Sequence, residues 1–559
     1  GYVFVVVMRA LVAVDGEKRP KMEIPRYREA VVLGLASVSF LLGLAALLPT
    51  DVVLIGRPAL GAAGLLSHTS LLLCATLGLP LAMLLACLWR PLRERMMPWL
   101  ALAPLPGLLT AFFATHGELL MLGNERLPLA LEIDRAGSVL LGVASLLWIA
   151  GGWYAFTYLS GKAGRGNFTV CWLMTLSGCL GVFVAADMAG FYAMLALLSV
   201  GTTGLVLYEG SPRSYRAGAI YIGMALLAES LVLVGMVLTV LSTPEHNLLI
   251  SAAPAAIEAS PWRDAIFVLL ITGFGIKAGL VPLHFWIPLA HGAAPVPASA
   301  LLSGAVVKAS VIGLIRFMPI ETAPWAVGAT VAMLGLLGAL YAVLVGITQS
   351  HPKTVLAYSS VSQMGVIVAI LGMGMAANDG SARLIAAFYA ANHVLAKGAL
   401  FMAVGVVAAT GARRLRPILL PIAVIAVGLG GLPLTGGALT KDVAKTLMGD
   451  GPAGVLATLS AIGTTVLMLH FLVRLRAGAA ADDDARAEGG LLLPWLATSV
   501  ASIVIPWALY LGAGGYSLPD ALAPKVLWSA LWPIAIGVLL AAALIRWGRH
   551  LPTLPEGDV

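Results

Sequence analysis

Long uninterrupted apolar runs fill most of this chain. Of its 559 residues, 60% are hydrophobic and only 11% carry a charge, whereas an ordinary soluble domain has about 25% charged residues. Many of the runs reach about 20 residues, the length at which an α-helix crosses the hydrocarbon core of a bilayer. The runs lack strict polar and apolar alternation, so they favour helices over the strands of a membrane barrel. The predicted fold class is an all-α integral membrane protein.

The boundaries of the runs predict about 16 transmembrane helices. Charged residues, prolines and glycines separate one run from the next. The predicted spans are 29–49, 68–89, 98–116, 138–158, 167–186, 187–207, 217–241, 264–283, 299–317, 325–347, 355–376, 383–410, 416–440, 453–474, 491–513 and 527–546.

The charge of the loops predicts the topology. The formal net charge is +7, but the basic residues are scattered through short loops, a pattern that does not favour a nucleic-acid partner. Lys and Arg concentrate on the cytoplasmic side of membrane proteins. Every second loop is basic, for example 90–95 and 413–416, whereas loops between them, such as 118–135 and 245–264, are acidic or nearly neutral. Both termini are therefore predicted to be cytoplasmic.

Ionisable side chains interrupt one of the apolar segments. Lys277, His284, His291 and Lys308 lie among Leu, Ile, Val, Ala and Gly, although an ionisable group at mid-membrane costs about 2.5–3.5 kcal/mol on insertion scales. Pro282 follows Lys277 closely and predicts a broken helix. Broken helices form the ion sites of many transporters. The alternative for Lys277 is a lysine whose amine reaches the membrane surface.

A second group of polar residues shares one helix face. Tyr389, His393 and Lys397 follow one another at intervals of four residues, which places them one above another on a helix. Such a stripe is able to line a hydrated proton path with His393 as a relay. The alternative is a histidine that only bonds a neighbouring helix.

A third group repeats the features of the first. Pro433 lies among glycines and is followed by Lys441, five predicted spans after the lysine of the first broken helix. An odd offset reverses the direction of crossing, so the two groups fit two repeats of opposite orientation. A lysine at the headgroup region is the alternative for Lys441.

Four segments together resemble a known family. They are KAGLVPLHFWIPLAHGAAPVPASALLSGAVVKA (277–309), HPKTVLAYSSVSQMG (351–365), NHVLAKGALF (392–401) and GLPLTGGALTKD (431–442). In order and spacing the chain resembles the antiporter-like proton-translocating membrane subunits shared by respiratory complex I (NADH-quinone oxidoreductase), Mrp-type cation/proton antiporters and membrane-bound hydrogenases.

The resemblance implies a 14-helix core at 68–513, built from two inverted five-helix repeats that each contain a broken helix. Residues 1–67 would then be an N-terminal segment with one added transmembrane helix, and 514–559 an added C-terminal helix and tail. It also implies other membrane subunits of a hetero-oligomeric complex as partners, and the bacterial cytoplasmic (inner) membrane as the location.

The resemblance also assigns roles to individual residues. Lys277 and Lys441 would be the lysines of the two broken helices, the second near the outward exit. Lys308 would be the bridging lysine, and Lys397 the lysine of the central axis, supported by His393. The full predicted proton path consists of Glu229, Lys277, His284, Lys308, Tyr389, His393, Lys397 and Lys441.

The chain departs from the family pattern at two positions. Ala196 stands where relatives usually carry a glutamate that pairs with the lysine of the first broken helix, and we hypothesise that Glu229 replaces it as the partner of Lys277. Gln363 stands where relatives often carry a histidine, which weakens the expected link between the lysines and the cytoplasm.

Proton translocation as part of a larger ion-pumping complex is the function that these features favour. Exchange of Na⁺ or K⁺ for protons, as in Mrp antiporters, is the first alternative, and a structural subunit with a degenerate channel is the second. The sequence contains no CxxC pair, haem signature or dinucleotide-binding motif, so no cofactor, metal or catalytic residue is predicted. Whether the chain is the membrane subunit of an oxidoreductase-driven translocase is left open.

Overall fold

A computed structural model describes residues 67–124, 127–513 and 515–547, together with Pro555 and Gly557. These residues are mostly helical, and twelve of their helical stretches, with 296–317 counted as one, are long and apolar enough to cross a membrane. The α-helices are α1 (His68–Ala86), α2 (Arg90–Arg95), α3 (Leu105–Phe113), α4 (Arg135–Tyr158), α5 (Arg165–Val184), α6 (Met188–Leu207), α7 (Pro212–Leu241), α8 (Ala253–Ala259), α9 (Arg263–Ala278), α10 (Trp286–Ala293), α11 (Val296–Leu301), α12 (Lys308–Phe317), α13 (Trp325–Gly346), α14 (Pro352–Ala377), α15 (Ala382–Ala408), α16 (Arg416–Gly430), α17 (Gly436–Met448), α18 (Pro452–Arg476), α19 (Gly489–Ala513), α20 (Leu518–Leu522) and α21 (Pro524–Trp547).

The all-α membrane fold is confirmed. Most predicted spans match helices to within a few residues, as 138–158 matches α4 and 325–347 matches α13. The span at 98–116 is shorter than predicted, because prolines interrupt it and only Leu105–Phe113 is α-helical. The span at 29–49 lies outside the described residues, so the total of sixteen helices stays a prediction.

Two spans are broken, as predicted. α9 ends at Gly279, whose φ of +77° is a left-handed conformation that suits glycine. The span resumes as α10 after a turn that contains Pro282. α16 likewise ends at Gly431, with φ of +109°, and resumes as α17 beyond Pro433. The described helices form two units of five spans each, residues 165–317 and residues 325–476. In each unit the broken span is the fourth.

The first two helices of each unit pack with their backbones in close contact. A Cβ atom on Gly178 of α5 would overlap the backbone of Leu198 in α6, and one on Gly335 of α13 would overlap the carbonyl oxygen of Gly365 in α14. Small residues permit such close approach in membranes, where dispersion contacts hold helices together. The repeated packing fits the two inverted repeats.

A β-hairpin and an arginine tie the first unit together at one end. Strands β1 (Leu120–Asn124) and β2 (Leu127–Leu131) pair antiparallel, and the Asp187 carboxylate accepts from Ala130 N at 2.8 Å and from Gly190 N at 2.6 Å. Arg316 pairs with Asp134 at 2.7 Å. The same guanidinium donates to the carbonyls of Val182 and Phe183 in the last turn of α5 and of its cap residue Ala185. Carbonyls at a helix end otherwise lack donors.

Candidate ion-translocation site

An ion pair lies at the first helix break. Lys277 Nζ is 2.8 Å from Glu229 Oε1 and 2.7 Å from Ser199 Oγ. Ser199 Oγ also donates to Glu229 Oε1 at 2.5 Å. The side chains of Lys277 and Glu229 are only 11% and 7% exposed. Glu229 therefore occupies the position beside Lys277 that our sequence analysis assigned to it, and Ser199 joins them.

The pair is positioned by close packing between α7 and α9. A Cβ on Gly273 of α9 would lie 2.9 Å from the carbonyl oxygen of Ala228, the residue before Glu229. Near the break, Trp286 Nε1 donates to the Ile276 carbonyl at 2.8 Å, so that carbonyl keeps a donor. These contacts hold Lys277 at the end of α9, facing α7.

Lys308 lies next to an irregular turn. Residues Leu302–Val306 form a π-helical turn between α11 and α12. Lys308 Nζ donates to the Ser303 carbonyl at 3.0 Å and makes a short contact with His393 Nδ1. Lys308 and His393 are both fully buried. The π turn was not foreseen from the sequence; such turns are frequent at functional sites.

Lys397 connects to Lys308 through α14. Lys397 Nζ donates to the Leu356 carbonyl at 2.9 Å, and that carbonyl also accepts from Ser360 Oγ at 3.0 Å. Ser360 Oγ in turn lies 2.7 Å from Ser303 Oγ. His393 contacts Lys308, and its expected support of Lys397 stays a prediction.

Tyr389 faces a different partner from the other two residues of its stripe. Tyr389 Oη donates to Gln363 Oε1 at 2.9 Å, and Gln363 Nε2 donates to Thr464 Oγ1 at 3.1 Å. All three side chains are buried. The stripe on α15 thus reaches α12 through His393, and α14 and α18 through Gln363.

Lys441 lies at the second helix break, as predicted. Its Nζ donates to the Leu429 carbonyl at 2.9 Å and to the Gly430 carbonyl at 2.6 Å. These are the last carbonyls of α16, where the helix dipole favours a cation. The chain folds back after Pro433, so that α17 presents Lys441 to the end of the preceding half-helix.

His284 is buried, but it does not take part in the lysine hydrogen bonds described above. Its ring packs edge-on against Tyr341 and Tyr358, and among the described residues neither ring nitrogen bonds another side chain. The same holds for His291, which packs against Trp286 and Phe401. His284 thus packs against aromatic rings and lies apart from the lysine contacts.

Backbone carbonyls are the partners that sequence reasoning missed. Lys308, Lys397 and Lys441 all donate to carbonyl oxygens, and so does Lys353, whose Nζ lies 2.6 Å from the Ala294 carbonyl. A lysine amine has N–H donors in both its charged and its neutral form, so such contacts persist when a proton leaves. Within the described part of the chain, no group of three or more His, Cys, Asp or Glu side chains is placed to hold a metal ion.

Comparison with known proteins confirms the resemblance. Residues 185–467, just over half of the chain, match the family described as NADH:quinone oxidoreductase/Mrp antiporter, TM. Hydrogenase-4 component B of Escherichia coli (strain K12) is 29% identical over 297 residues, which are 51% of this chain and 44% of that protein. The chain spans about half the length of the curated relatives it matches.

Two solved structures share the fold. A chain of the Mrp complex from Dietzia sp. DQ12-45-1b superimposes with a TM-score of 0.70 at 21% identity, covering 88% of this chain and 58% of that one. A chain of the membrane-bound sulfane sulfur reductase (MBS), an archaeal respiratory membrane complex, gives a TM-score of 0.65 at 19% identity and covers 85% and 99%. The chain is thus an antiporter-like integral membrane protein that belongs to the NADH:quinone oxidoreductase/Mrp antiporter family.

Proposed function

We propose that this chain moves protons across the membrane as a subunit of a larger ion-pumping complex. The buried ion pair of Lys277 and Glu229 is the observation that carries the proposal. Removing two charges from water costs several kcal/mol per ion even after relaxation, and apolar residues would pack the same space more cheaply. A pair that sits at a helix break is also free to exchange partners, because a break leaves backbone groups to solvate a displaced charge.

A small cavity supports a connection from the ion pair towards Lys308. Its volume is about 20 Å³, and its walls include Lys277, Tyr221, Val306 and Ala309. A single water needs roughly 10–15 Å³ of such space and two or more polar partners. Lys277 and Tyr221 are the wall residues with an amine or a hydroxyl, and we infer that one water bound by them would extend the ion pair towards the helix that carries Lys308.

The remaining groups form the central part of the proposed path. Lys308, His393 and Lys397 are fully buried and joined through Ser303, Ser360 and the Leu356 carbonyl. We infer that a proton arriving at this cluster changes the charge felt by Lys277, which then separates from Glu229 or returns to it. Coulomb attraction between the partners is strong in a medium of low polarity, so a shift of one charge is felt across the cluster.

Proton flux into liposomes that contain the intact purified complex tests the proposal. Lys277→Ala is expected to abolish flux, and Glu229→Gln to lower it at least roughly tenfold, the rate equivalent of about 1.4 kcal/mol. Lys162→Ala is the control, because Lys162 is an exposed loop lysine outside the membrane spans. Unchanged flux in Lys277→Ala would refute the proposal, and unchanged flux in Glu229→Gln alone would refute the role of Glu229.

The same assay separates the alternatives for the energy source. Flux driven by a Na⁺ or K⁺ gradient would identify exchange of the kind that the name of the relatives Na(+)/H(+) antiporter subunit A1 describes. Flux that appears only with an electron donor and acceptor would identify a redox-driven pump. Lysine-independent behaviour under both conditions would favour a structural subunit.

A further inference from the structure

A cluster of four arginines lies at one end of the helix bundle. We call it the arginine patch, and it comprises Arg90, Arg93, Arg95 and Arg165. The first three belong to the short helix α2, and the fourth begins α5. A Cβ on Gly166 of α5 would lie 2.7 Å from Glu94 Oε1 and 3.2 Å from Arg93 Cγ. The helix α2 therefore packs against the start of α5, so the arginines of the two helices are neighbours.

Arg165 bridges α4 and the segment that follows α2. Its Nε lies 3.2 Å from Sδ of Met97, and its guanidinium carbon lies 5.6 Å from the ring centroid of Phe156 on α4. Gly152 of α4 also packs closely on this segment, because a Cβ there would lie 2.9 Å from Ala101 N. These contacts position Arg165, but a sulfur atom and a ring face do not neutralise its charge.

The positive charge of the arginine patch is only partly balanced. Among the described residues, none of its four arginines forms an ion pair with a carboxylate, and Arg93 Nε is buried without a hydrogen-bond partner. Glu94 of α2 and Glu209 after α6 offset part of the charge. In the loop between α15 and α16, by contrast, Arg413 pairs with Asp484 at 3.0 Å. The arginine patch is thus able to bind an anion.

Exposed tryptophans border the arginine patch at the edge of the membrane. Trp89 and Trp99 lie on either side of α2 and are 65% and 58% exposed, and Trp153 of α4 is 47% exposed. Tryptophan is enriched where the hydrocarbon core meets water. The helix α1 ends just before α2, and both α1 and α5 are membrane spans, so the arginines lie at the level of the lipid headgroups. The charge of the loops predicts that this side is cytoplasmic.

We propose that the arginine patch binds the headgroup of an anionic phospholipid, whose acyl chains lie against the exposed tryptophans. A guanidinium group is planar and donates paired hydrogen bonds that match a phosphate. Basic pockets between spans on the cytoplasmic side suit such headgroups. A lipid bound here connects α2 to the ends of α4 and α5. The inference goes beyond the proposed function and does not depend on it, because a lipid site needs no proton path.

Photoactivatable phosphatidylglycerol and photoactivatable phosphatidylcholine, each in liposomes that contain the intact complex, test the site. The measured quantity is the ratio of labelling by the two lipids within residues 88–102. The wild type is expected to prefer phosphatidylglycerol at least roughly tenfold, or about 1.4 kcal/mol, whereas contact with bulk lipid alone gives equal labelling. The α2 variant, which is expected to lose the preference, carries Arg90→Gln, Arg93→Gln and Arg95→Gln.

Two further variants control for total surface charge and for folding. The control variant loses three charges from another loop that is predicted to be cytoplasmic, and it should keep the wild-type preference; it carries Arg413→Gln, Arg414→Gln and Arg416→Gln. Arg95 is exposed, so Arg95→Gln alone leaves the packing intact and should still lower the preference.

Several results would overturn the proposal. Equal labelling of the wild type by the two lipids is one, and an equal loss of preference in the α2 variant and the control variant is another. Excess inorganic phosphate at constant ionic strength should leave the preference unchanged; if it removes the preference, the arginine patch binds free phosphate and the lipid site is refuted. Loss of a subunit from the α2 variant alone would assign the arginine patch to a protein partner and would likewise refute the lipid site.

Discussion

Lys277 Nζ and Glu229 Oε1 lie 2.8 Å apart, although the two residues belong to different helices and are 48 positions apart in the chain. The glutamate comes from α7, the helix after α6, on which Ala196 stands at the position where the resemblance implies a glutamate. Ser199, three residues beyond Ala196 on α6, bonds both partners.

Breaking this ion pair should destabilise the protein more than replacing it. Glu229→Leu and Lys277→Met each leave one buried charge without its partner, a change that costs about 3–5 kcal/mol in other proteins. The double variant removes both charges and should unfold near the wild-type temperature. Thermal unfolding of the purified complex measures all four forms. Losses that simply add in the double variant would show that the two side chains do not stabilise each other.

The lysine at the second helix break should be needed for transport. Lys441→Met leaves the Leu429 and Gly430 carbonyls without their donor, and proton flux in liposomes should fall at least roughly tenfold. Lys445→Met is the matched control, because Lys445 lies one turn along the same helix, has a half-exposed side chain and is 3.9 Å from Asp450. Equal flux in the two variants would contradict this prediction.

The Asp134–Arg316 pair should contribute stability that depends on pH. Burial by itself raises the pKa of the Asp134 carboxyl, but Arg316 and the Gly137 N–H outweigh it and hold the pKa below its ordinary 3.8. A carboxyl with a lowered pKa stabilises the fold above its unfolded value and loses this contribution as the pH falls through the folded one. Asp134→Asn should therefore lower the unfolding temperature at about pH 7 but differ progressively less from wild type below about pH 3.8. A pH-independent difference would mean that the charge does not contribute.

Close helix packing should make some glycines irreplaceable. Gly335→Ala places a Cβ against the Gly365 carbonyl, and overpacking of this kind costs about 1–3 kcal/mol. Gly223→Ala is the control, since nothing lies within 4 Å of a Cβ at that position on α7. Alanine has the higher helix propensity, so the control should be neutral or stabilising by up to about 1 kcal/mol. Thermal unfolding of the two variants compares them directly.

The sequence was sufficient for most of the described helices and for the two breaks, because both leave local signals. Apolar length marks a span such as α4, and Pro282 and Pro433 mark interruptions that no neighbour is needed to explain. The partner of Lys277 was also within reach, since Glu229 is a carboxylate deep in an apolar run and such a group needs a counter-charge.

The contacts of the other lysines could not be predicted in the same way. Lys308, Lys397 and Lys441 bond backbone carbonyls, and every residue has a carbonyl, so the sequence holds no sign of which one is left free. The Tyr389–Gln363 bond likewise depends on how α14 and α15 pack. Side-chain partners on separate helices are fixed by tertiary packing, which no local pattern encodes.

The π turn at Leu302–Val306 sets the rotation of α12 about its axis relative to α11. It contains one residue more than a regular helix would use, and each residue of an α-helix turns the chain by about 100°. The side chains of α12 are therefore rotated about the helix axis by about 100° from where a regular helix would place them. Deleting one residue here would keep the helix and its hydrophobicity, but it would point Lys308 away from His393. Along this stretch the chain should tolerate a change of side chain far better than a change of length, so the spacing between Val296 and Lys308 is itself a structural requirement.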